Sequence, residues 1–291
     1  KLKEEELAEM VSDFDALIAG TEPITDKVMG AASKLKLISR VGIGLDSVDL
    51  LAAERRGIKV SYTPDAPAPA VAELTIGLML SLLRSVHVVN AQMHRGEWHR
   101  HFGRRIPEVT IGIIGAGRIG GGVLRRLAGF GTPRILVNDT HPNLKVAPEL
   151  KLEWVDKEEI YRHADLISLH VPMTVQTKNM IRSEQLLMMK PDAMIINTSR
   201  GGIINEHDLA EVLGTGHLSG TAIDVFDQEP YNGALAQIDR CLLTSHMGSM
   251  AIDCRTRMEI EATEEVVRFF TGKSLQGLVP REEYEVQKQG L

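Results

Sequence analysis

Short apolar runs alternate with amphipathic stretches along nearly the whole chain. Residues 3–11 read as a charged helix, 16–19 as a strand, 26–33 as a helix, 37–39 as a strand, 48–56 as a helix and 59–61 as a strand. Brief β-branched runs separated by helix-period segments are the pattern of parallel strands joined by crossover helices. A start on a helix with no strand before it reads as half a βα unit. A truncated N-terminus is therefore expected, and Lys1 rather than Met stands first. Pro64, Pro67 and Pro69 interrupt the rhythm and predict a link between domains.

A long apolar helix is expected over 71–89, with Leu74, Leu78 and Leu82 on one face. Residues 94–105 are rich in His and Arg and read as a solvated connector, with a role near an anionic substrate as the alternative. No acid or Cys spacing accompanies those histidines, so no metal site is expected. Beyond them, strands are predicted at 111–114, 135–138, 166–169, 193–197, 220–225 and 241–244. The segment 151–154 is left outside this set. Six strands is the count of the doubly wound dinucleotide fold. A final helix is predicted over 251–271.

The first of those strands runs into Gly115-Ala116-Gly117-Arg118-Ile119-Gly120, a G-x-G-x-x-G turn that opens a helix. Gly115 permits the tight turn, Gly117 lets a pyrophosphate approach the backbone, and Gly120 lets helix and strand pack closely. The helix N-terminus offers unpaired N–H groups to phosphate. Asp139 lies 19 residues after Gly120, at the end of the next apolar run. A carboxylate there accepts hydrogen bonds from a ribose and repels a 2′-phosphate, which favours NAD over NADP. Gly121 and Gly122 continue the glycine run and are expected to weaken the helix by about 1 kcal/mol each relative to Ala.

The chain has 291 residues, enough for two domains, with 43% hydrophobic and 25% charged residues. A net charge of −6 argues against a nucleic-acid or membrane partner. The apolar stretch 71–83 carries Glu73 and is too short to span a bilayer. Two cysteines without metal-like spacing suggest a reducing, cytoplasmic setting.

Ligands of parallel α/β sheets sit beyond the carboxyl ends of the strands. Arg200 follows the strand at 193–197, Asp224 ends that at 220–225, Glu229 lies just beyond it, and His246 follows the strand at 241–244. His can take and return a proton, Glu can orient it, and Arg can grip a carboxylate. Taken singly, Arg200 also has a reading as a surface residue, Glu229 reads first as a turn acid, and His246 reads equally as a structural histidine. His170, at another strand end, lines a cofactor pocket or simply caps the sheet. The glycine turn at 40–46 exposes backbone N–H groups that suit a carboxylate, or is a plain loop.

Several motifs in one order resemble the NAD-dependent D-isomer-specific 2-hydroxyacid dehydrogenases over nearly the whole length. They are residues 40–49, 113–120, 170–174, 197–202, 224–230 and 246–248. Residues 272–279 are most similar to the 3-phosphoglycerate dehydrogenases within that family. The resemblance implies a doubly wound (Rossmann) NAD-binding domain at 71–255. It would be inserted in a smaller flavodoxin-like α/β substrate domain formed by 1–70 and 256–291. It implies Arg200, Glu229 and His246 as catalytic residues. For the cofactor it implies Gly115, Gly117, Arg118, Ile119, Gly120, Asp139, His170, Pro172, Thr198, Ser199, Asp224, His246 and Gly248. Val41, Gly42 and Gly44 would hold the substrate carboxylate through backbone amides, with Arg200 and His246. A homodimer is implied, and 3-phosphoglycerate is the expected substrate, helped by Arg40 or the basic run. Glyoxylate or hydroxypyruvate is the alternative, and an NAD(H)-sensing binding protein without catalysis is the rival class. Ser245 replaces the family's usual Pro before the histidine, so a looser backbone is expected there.

Overall fold

The computed structural model describes residues 2–289. They divide into two compact units, one formed by the chain up to Pro67 and from Met250 onward, the other by Ala68–Ser249. The breaks expected from the sequence lay at 70 and 255. In the first unit, α1 (Glu4–Met10), β1 (Ala16–Ala19), α2 (Asp26–Ala31), β2 (Leu37–Arg40), α3 (Leu50–Arg55) and β3 (Lys59–Tyr62) alternate. Thr25 and Asp49 cap α2 and α3 by accepting the amides of Val28 and Ala52. The strands pair in parallel in the order β1-β2-β3.

The second unit opens on α4 (Ala68–Leu83) and α5 (Val86–His94). The single helix expected over 71–89 is broken. Ser85 adopts φ 52°, and the two helices meet at 66°. Gly103 and Arg104 return to the end of α4, where the Arg104 amide donates to Leu83 O at 3.0 Å. A Cβ on Gly103 would lie 2.4 Å from that same oxygen. No single helix among the described residues is long and apolar enough to cross a membrane.

After this connector come β4 (Thr110–Ile114), α6 (Arg118–Leu127), β5 (Arg134–Asn138), β6 (Leu152–Trp154), α7 (Lys157–His163) and β7 (Leu166–Leu169). Then follow α8 (Ser183–Met188), β8 (Met194–Asn197), α9 (Glu206–Thr215), β9 (Gly220–Ile223) and β10 (Cys241–Leu243). All pairings are parallel, in the order β10-β9-β8-β7-β4-β5-β6. The sheet therefore has seven strands rather than six. The segment set aside at 151–154 is the edge strand β6. Its short length and Glu153, which pairs with Arg134 at 2.8 Å, hide it as a strand and blunt it as an edge. The chain leaves β4 toward β5 and β6, then returns to β7 on the other side, so the switch point lies between β4 and β7.

The glycines that weaken α6 also let it approach its neighbours. A Cβ on Gly122 would lie 3.1 Å from Ala72 Cβ on α4, and one on Gly121 2.7 Å from Val146 Cγ2. Val123, Leu124 and Leu127 complete the buried face of α6 against Ile111, Ile113 and Val137.

Back in the first unit, α10 (Ile252–Phe270) packs on its sheet and α11 (Arg281–Lys288) on α3. Ser61 and Ser39 form a buried hydroxyl chain that ends on Ala262 O. Glu265 is buried and accepts the amides of Gln276 and Gly277, which fixes the segment that pairs along β3. The helix α11 has no counterpart in the sequence reading.

At the starts of the strands of the second unit, Asp165 accepts the Thr110 amide at 2.7 Å and faces Arg104 at 3.2 Å and Lys190 at 3.3 Å. Burial opposes its ionisation. The Thr110 amide, Lys190 and Arg104 outweigh that and hold the carboxyl below its usual range. A depressed folded-state value gives stability that is complete above the unfolded pKa of about 3.9. That stability is lost as pH falls through the folded value. Asp165→Asn is thus expected to cost about 1–3 kcal/mol near neutral pH. Urea midpoints measured against pH should show the gap closing as pH drops below about 4. A gap that persists at the acid end would refute the assignment.

Candidate active site

The glycine turn is built as its spacing requires. Gly115 has φ 93°, and a Cβ there would lie 2.5 Å from His170 O. A Cβ on Gly120 would lie 1.9 Å from Gly115 O, so only glycine lets α6 start this close to β4. At Gly117 nothing lies within 4 Å, which leaves the backbone open to a ligand. Arg118, Ile119 and Gly120 form the first turn of α6, where amides lack intrahelical partners and the dipole favours phosphate. Asp139, just past β5, accepts the amides of Ala116 at 2.7 Å and His141 at 2.8 Å. Its carboxylate ties the turn to β5 and keeps lone pairs for ribose hydroxyls. These residues fit a dinucleotide.

His170 follows β7 beside this turn. Its Nε2 meets Ser168 Oγ at 2.9 Å, Nδ1 is buried without a partner, and burial pushes the ring's pKa down to about 3. His170 is therefore a neutral ring in the wall of the turn. Pro172 is exposed, and its carbonyl accepts Thr177 Oγ1 at 2.6 Å.

The loops after β8, β9 and β10 lie side by side. Asn197 shapes the first: its Oδ1 accepts the amide and hydroxyl of Ser199, and its Nδ2 donates to Arg200 O at 2.8 Å. Ser199 therefore directs its polar groups into the loop. Arg200 Nη1 donates to Ser199 O at 2.7 Å. A Cβ on Gly201 would lie 2.0 Å from Phe226 O, so this loop touches the one after β9. There the Phe226 amide donates to Glu229 Oε1 at 3.2 Å. His246, beyond β10, places Nδ1 2.9 Å from Glu229 Oε2 and 3.0 Å from Oε1. If the carboxylate accepts from Nδ1–H, Nε2 carries the free lone pair of the neutral ring.

Asp224 is almost fully buried. Its carboxylate accepts Thr244 Oγ1 at 2.6 Å and the amides of Met247 at 2.8 Å and Gly248 at 2.9 Å, while its carbonyl accepts the His246 amide at 2.7 Å. The looser backbone expected at Ser245 is instead a loop held at four points. Asp224 serves that loop directly. Glu206 was not anticipated. It accepts the Asp227 amide at 2.7 Å, and burial with the charges of Asp227 and Glu229 raises its pKa. Its only sequence signal is its place at the start of α9.

In the first unit, the loop after β2 differs from expectation. The Val41 amide donates to Ala19 O and the Gly42 amide to Thr63 Oγ1, both at 2.8 Å. Those two amides are engaged within the fold. Arg40 is buried and folds over Gly42, its Nη1 donating to Val41 O. Within the basic run, Arg95 pairs with Glu97, Arg105 with Glu108 and His101 with Gln92, while Arg104 reaches the distant Asp165.

Residues 76–248 match the family model described as the D-isomer specific 2-hydroxyacid dehydrogenase, NAD binding domain. The chain belongs to this family. It is 37% identical to a D-3-phosphoglycerate dehydrogenase of Methanocaldococcus jannaschii, over 99% of this chain and 56% of that protein. The chain thus spans little more than half of that relative. It is 34% identical to a hydroxypyruvate reductase of Thermotoga maritima, over 92% of this chain and 88% of that protein. Among solved structures, the TT0316 protein from Thermus thermophilus superposes with a TM-score of 0.89 at 34% identity, covering 96% of this chain and 90% of that one. The seven-stranded unit is accordingly the family's NAD-binding domain.

If backbone approach at Gly117 is what the dinucleotide needs, Gly117→Ala should weaken cofactor binding beyond any loss in the urea midpoint, since the space beside it is empty while its ψ of −145° is unfavourable for a residue with a Cβ. NADH binding, followed by fluorescence, should weaken at least about tenfold, or ~1.4 kcal/mol. Equal affinity in the variant would remove Gly117 from the cofactor site.

Proposed function

We propose that the protein is an NAD-dependent oxidoreductase acting at C2 of a D-2-hydroxy acid or the matching 2-oxo acid. The observation that carries this reading is the His246–Glu229 pair at 2.9 Å, held at the strand ends of the sheet that bears the glycine turn. NAD, when bound, supplies the hydride acceptor. In oxidation His246 Nε2 takes the hydroxyl proton, and in reduction it returns that proton to the carbonyl oxygen. Glu229 orients the ring through Nδ1 and offsets the charge of the imidazolium. Arg200 binds the substrate carboxylate and offsets charge that develops on the reacting oxygen.

The reading extends to 3-phosphoglycerate, supported by the 37% identity to a phosphoglycerate dehydrogenase. A second reading, glyoxylate or hydroxypyruvate, is favoured by Arg40, whose guanidinium turns onto its own loop, and by the 34% identity to a hydroxypyruvate reductase. His246→Ala is expected to lower kcat by about 10²–10⁴ while NADH still binds. The assay should compare 3-phosphoglycerate with glyoxylate and hydroxypyruvate. Unchanged turnover of an accepted substrate would reject the role of His246.

The proposal includes a homodimer. Its support is the exposed apolar side chains of α5 and the following stretch: Val86, Met93, Trp98 and Phe102. Sedimentation at micromolar concentration should give twice the chain mass, and Trp98→Ser with Phe102→Ser should shift it toward the monomer. A monomeric wild-type protein would refute the dimer.

A further inference from the structure

Two successive amides in the loop after β9 go to two different carboxylates. The Phe226 amide donates to Glu229 Oε1 at 3.2 Å, and the Asp227 amide to Glu206 Oε1 at 2.7 Å. The second bond is the shorter, and its acceptor comes from another element. Glu206 is the first residue of α9, directly after Asn205, whose side chain accepts the Asp208 amide and caps the helix. The helix buries Leu209, Val212 and Leu213 in the core of its unit. The Glu206 carboxylate thus stands on a rigid support, whereas residues 224–232, which it holds, are irregular.

The Phe226–Asp227 peptide is where the neighbouring loops meet. A Cβ on Gly201 would lie 2.0 Å from Phe226 O and 2.4 Å from Asp227 N, so the loop that carries Arg200 presses on this backbone. The Phe226 ring stacks on Tyr231 at 4.2 Å, beyond Glu229. Glu229 shares its Oε1 between the Phe226 amide and His246 Nδ1, the latter at 3.0 Å. A rotation of this peptide would therefore carry the Glu229 carboxylate away from the ring, and the bond to Glu206 opposes that rotation. The ionisable groups around Glu206 are Asp227 and Glu229 on the loop, Tyr231 beyond them, and His207 on α9, which faces Asp208 and Glu211. Those around His246 are Glu229 and Asp224. Burial and the charges of Asp227 and Glu229 both work against an ionised Glu206, and the Asp227 amide offsets them.

We propose that Glu206 is a positioning residue that fixes the Phe226–Asp227 peptide and so keeps the Glu229 carboxylate on His246 Nδ1. This rests on the oxidoreductase reading above. Glu206 acts through Glu229 and not on the reacting atoms. Without an acceptor for the Asp227 amide the peptide turns, Glu229 loses its grip on the ring, and the imidazolium loses part of the charge that supports it. A glutamine at position 206 keeps an acceptor oxygen at the same reach, and an alanine has none.

The test uses the full chain with Glu206→Ala, Glu206→Gln, Glu229→Ala and the double variant Glu206→Ala with Glu229→Ala. Reduction of glyoxylate and hydroxypyruvate by NADH, and oxidation of 3-phosphoglycerate by NAD, are measured against pH. NADH binding and the urea midpoint are followed in each protein. For a substrate that the wild type turns over, Glu206→Ala should lower kcat about tenfold and change KM by less than about twofold. The pH midpoint of kcat/KM should move down by about half a unit in either direction of reaction, because both directions report the proton on His246. Glu206→Gln should keep kcat within about twofold. With Glu229→Ala already in place, Glu206→Ala should change kcat by less than about twofold, since the group it positions is gone. Losses that multiply in the double variant overturn the proposal. So do an unmoved pH midpoint in Glu206→Ala and equal losses in Glu206→Gln and Glu206→Ala. Loss of NADH binding together with turnover in Glu206→Ala also overturns it, since that marks a structural role only. A wild-type protein that binds NADH but turns over none of the three substrates overturns the oxidoreductase reading itself, and this inference with it.

Discussion

A carboxylate buried at the end of β9 has to find donors, and Asp224 finds three of them in one loop: the Thr244 hydroxyl and the amides of Met247 and Gly248. Between those anchors His246 is held at φ 52°, a left-handed conformation that a residue with a Cβ does not adopt without support. The strain is local, and the charge-assisted bonds that surround it are the strong kind. The geometry between His246 and Glu229 follows from this clamp. So does the place of Gly248, where a Cβ would press on Asp224 and Val71. Removing the carboxylate would leave two amides and a hydroxyl without their acceptor and the histidine without a fixed backbone.

The glycine turn shows the same exchange of local preference for tertiary fit. Glycines at 120, 121 and 122 are poor helix formers, at about 1 kcal/mol each. Each faces an atom that a methyl group would strike or crowd: Gly115 O, Val146 Cγ2 and Ala72 Cβ. The helix is therefore stabilised by its close packing and by the buried Val123, Leu124 and Leu127 rather than by propensity. Its start is left against the mouth of the site, where the amides of its first turn are most useful.

Much of this was legible in the sequence, because the signals were local. The turn at 115–120 announces strand, turn and helix within a few residues, and Arg200, Glu229 and His246 are placed by strand ends that hydrophobic runs define. What stayed hidden depends on partners distant in the chain. Glu206 looks like one more acid at the start of a helix until the Asp227 amide is seen beside it. The amides of Val41 and Gly42 look free until Ala19 and Thr63 are seen to take them. The strand β6 is short and charged, which erases the alternation that would reveal it. The break at Ser85 lies in a run without Gly or Pro to mark it, at the place where the distant Gly103–Arg104 segment returns to the end of α4.

β10 is the outermost strand of its sheet, only three residues long and half-buried throughout. It is hydrogen-bonded on one side alone, to β9. Edge segments with few ladder bonds are the first to open in native-state fluctuations. The histidine proposed to move the proton thus follows one of the two three-residue edge strands of the sheet. Chemistry and global folding are then separable by stress. A stress that loosens β10 first would disturb the loop of His246 while the strands from β9 to β5, which carry the glycine turn and Asp139, stay paired.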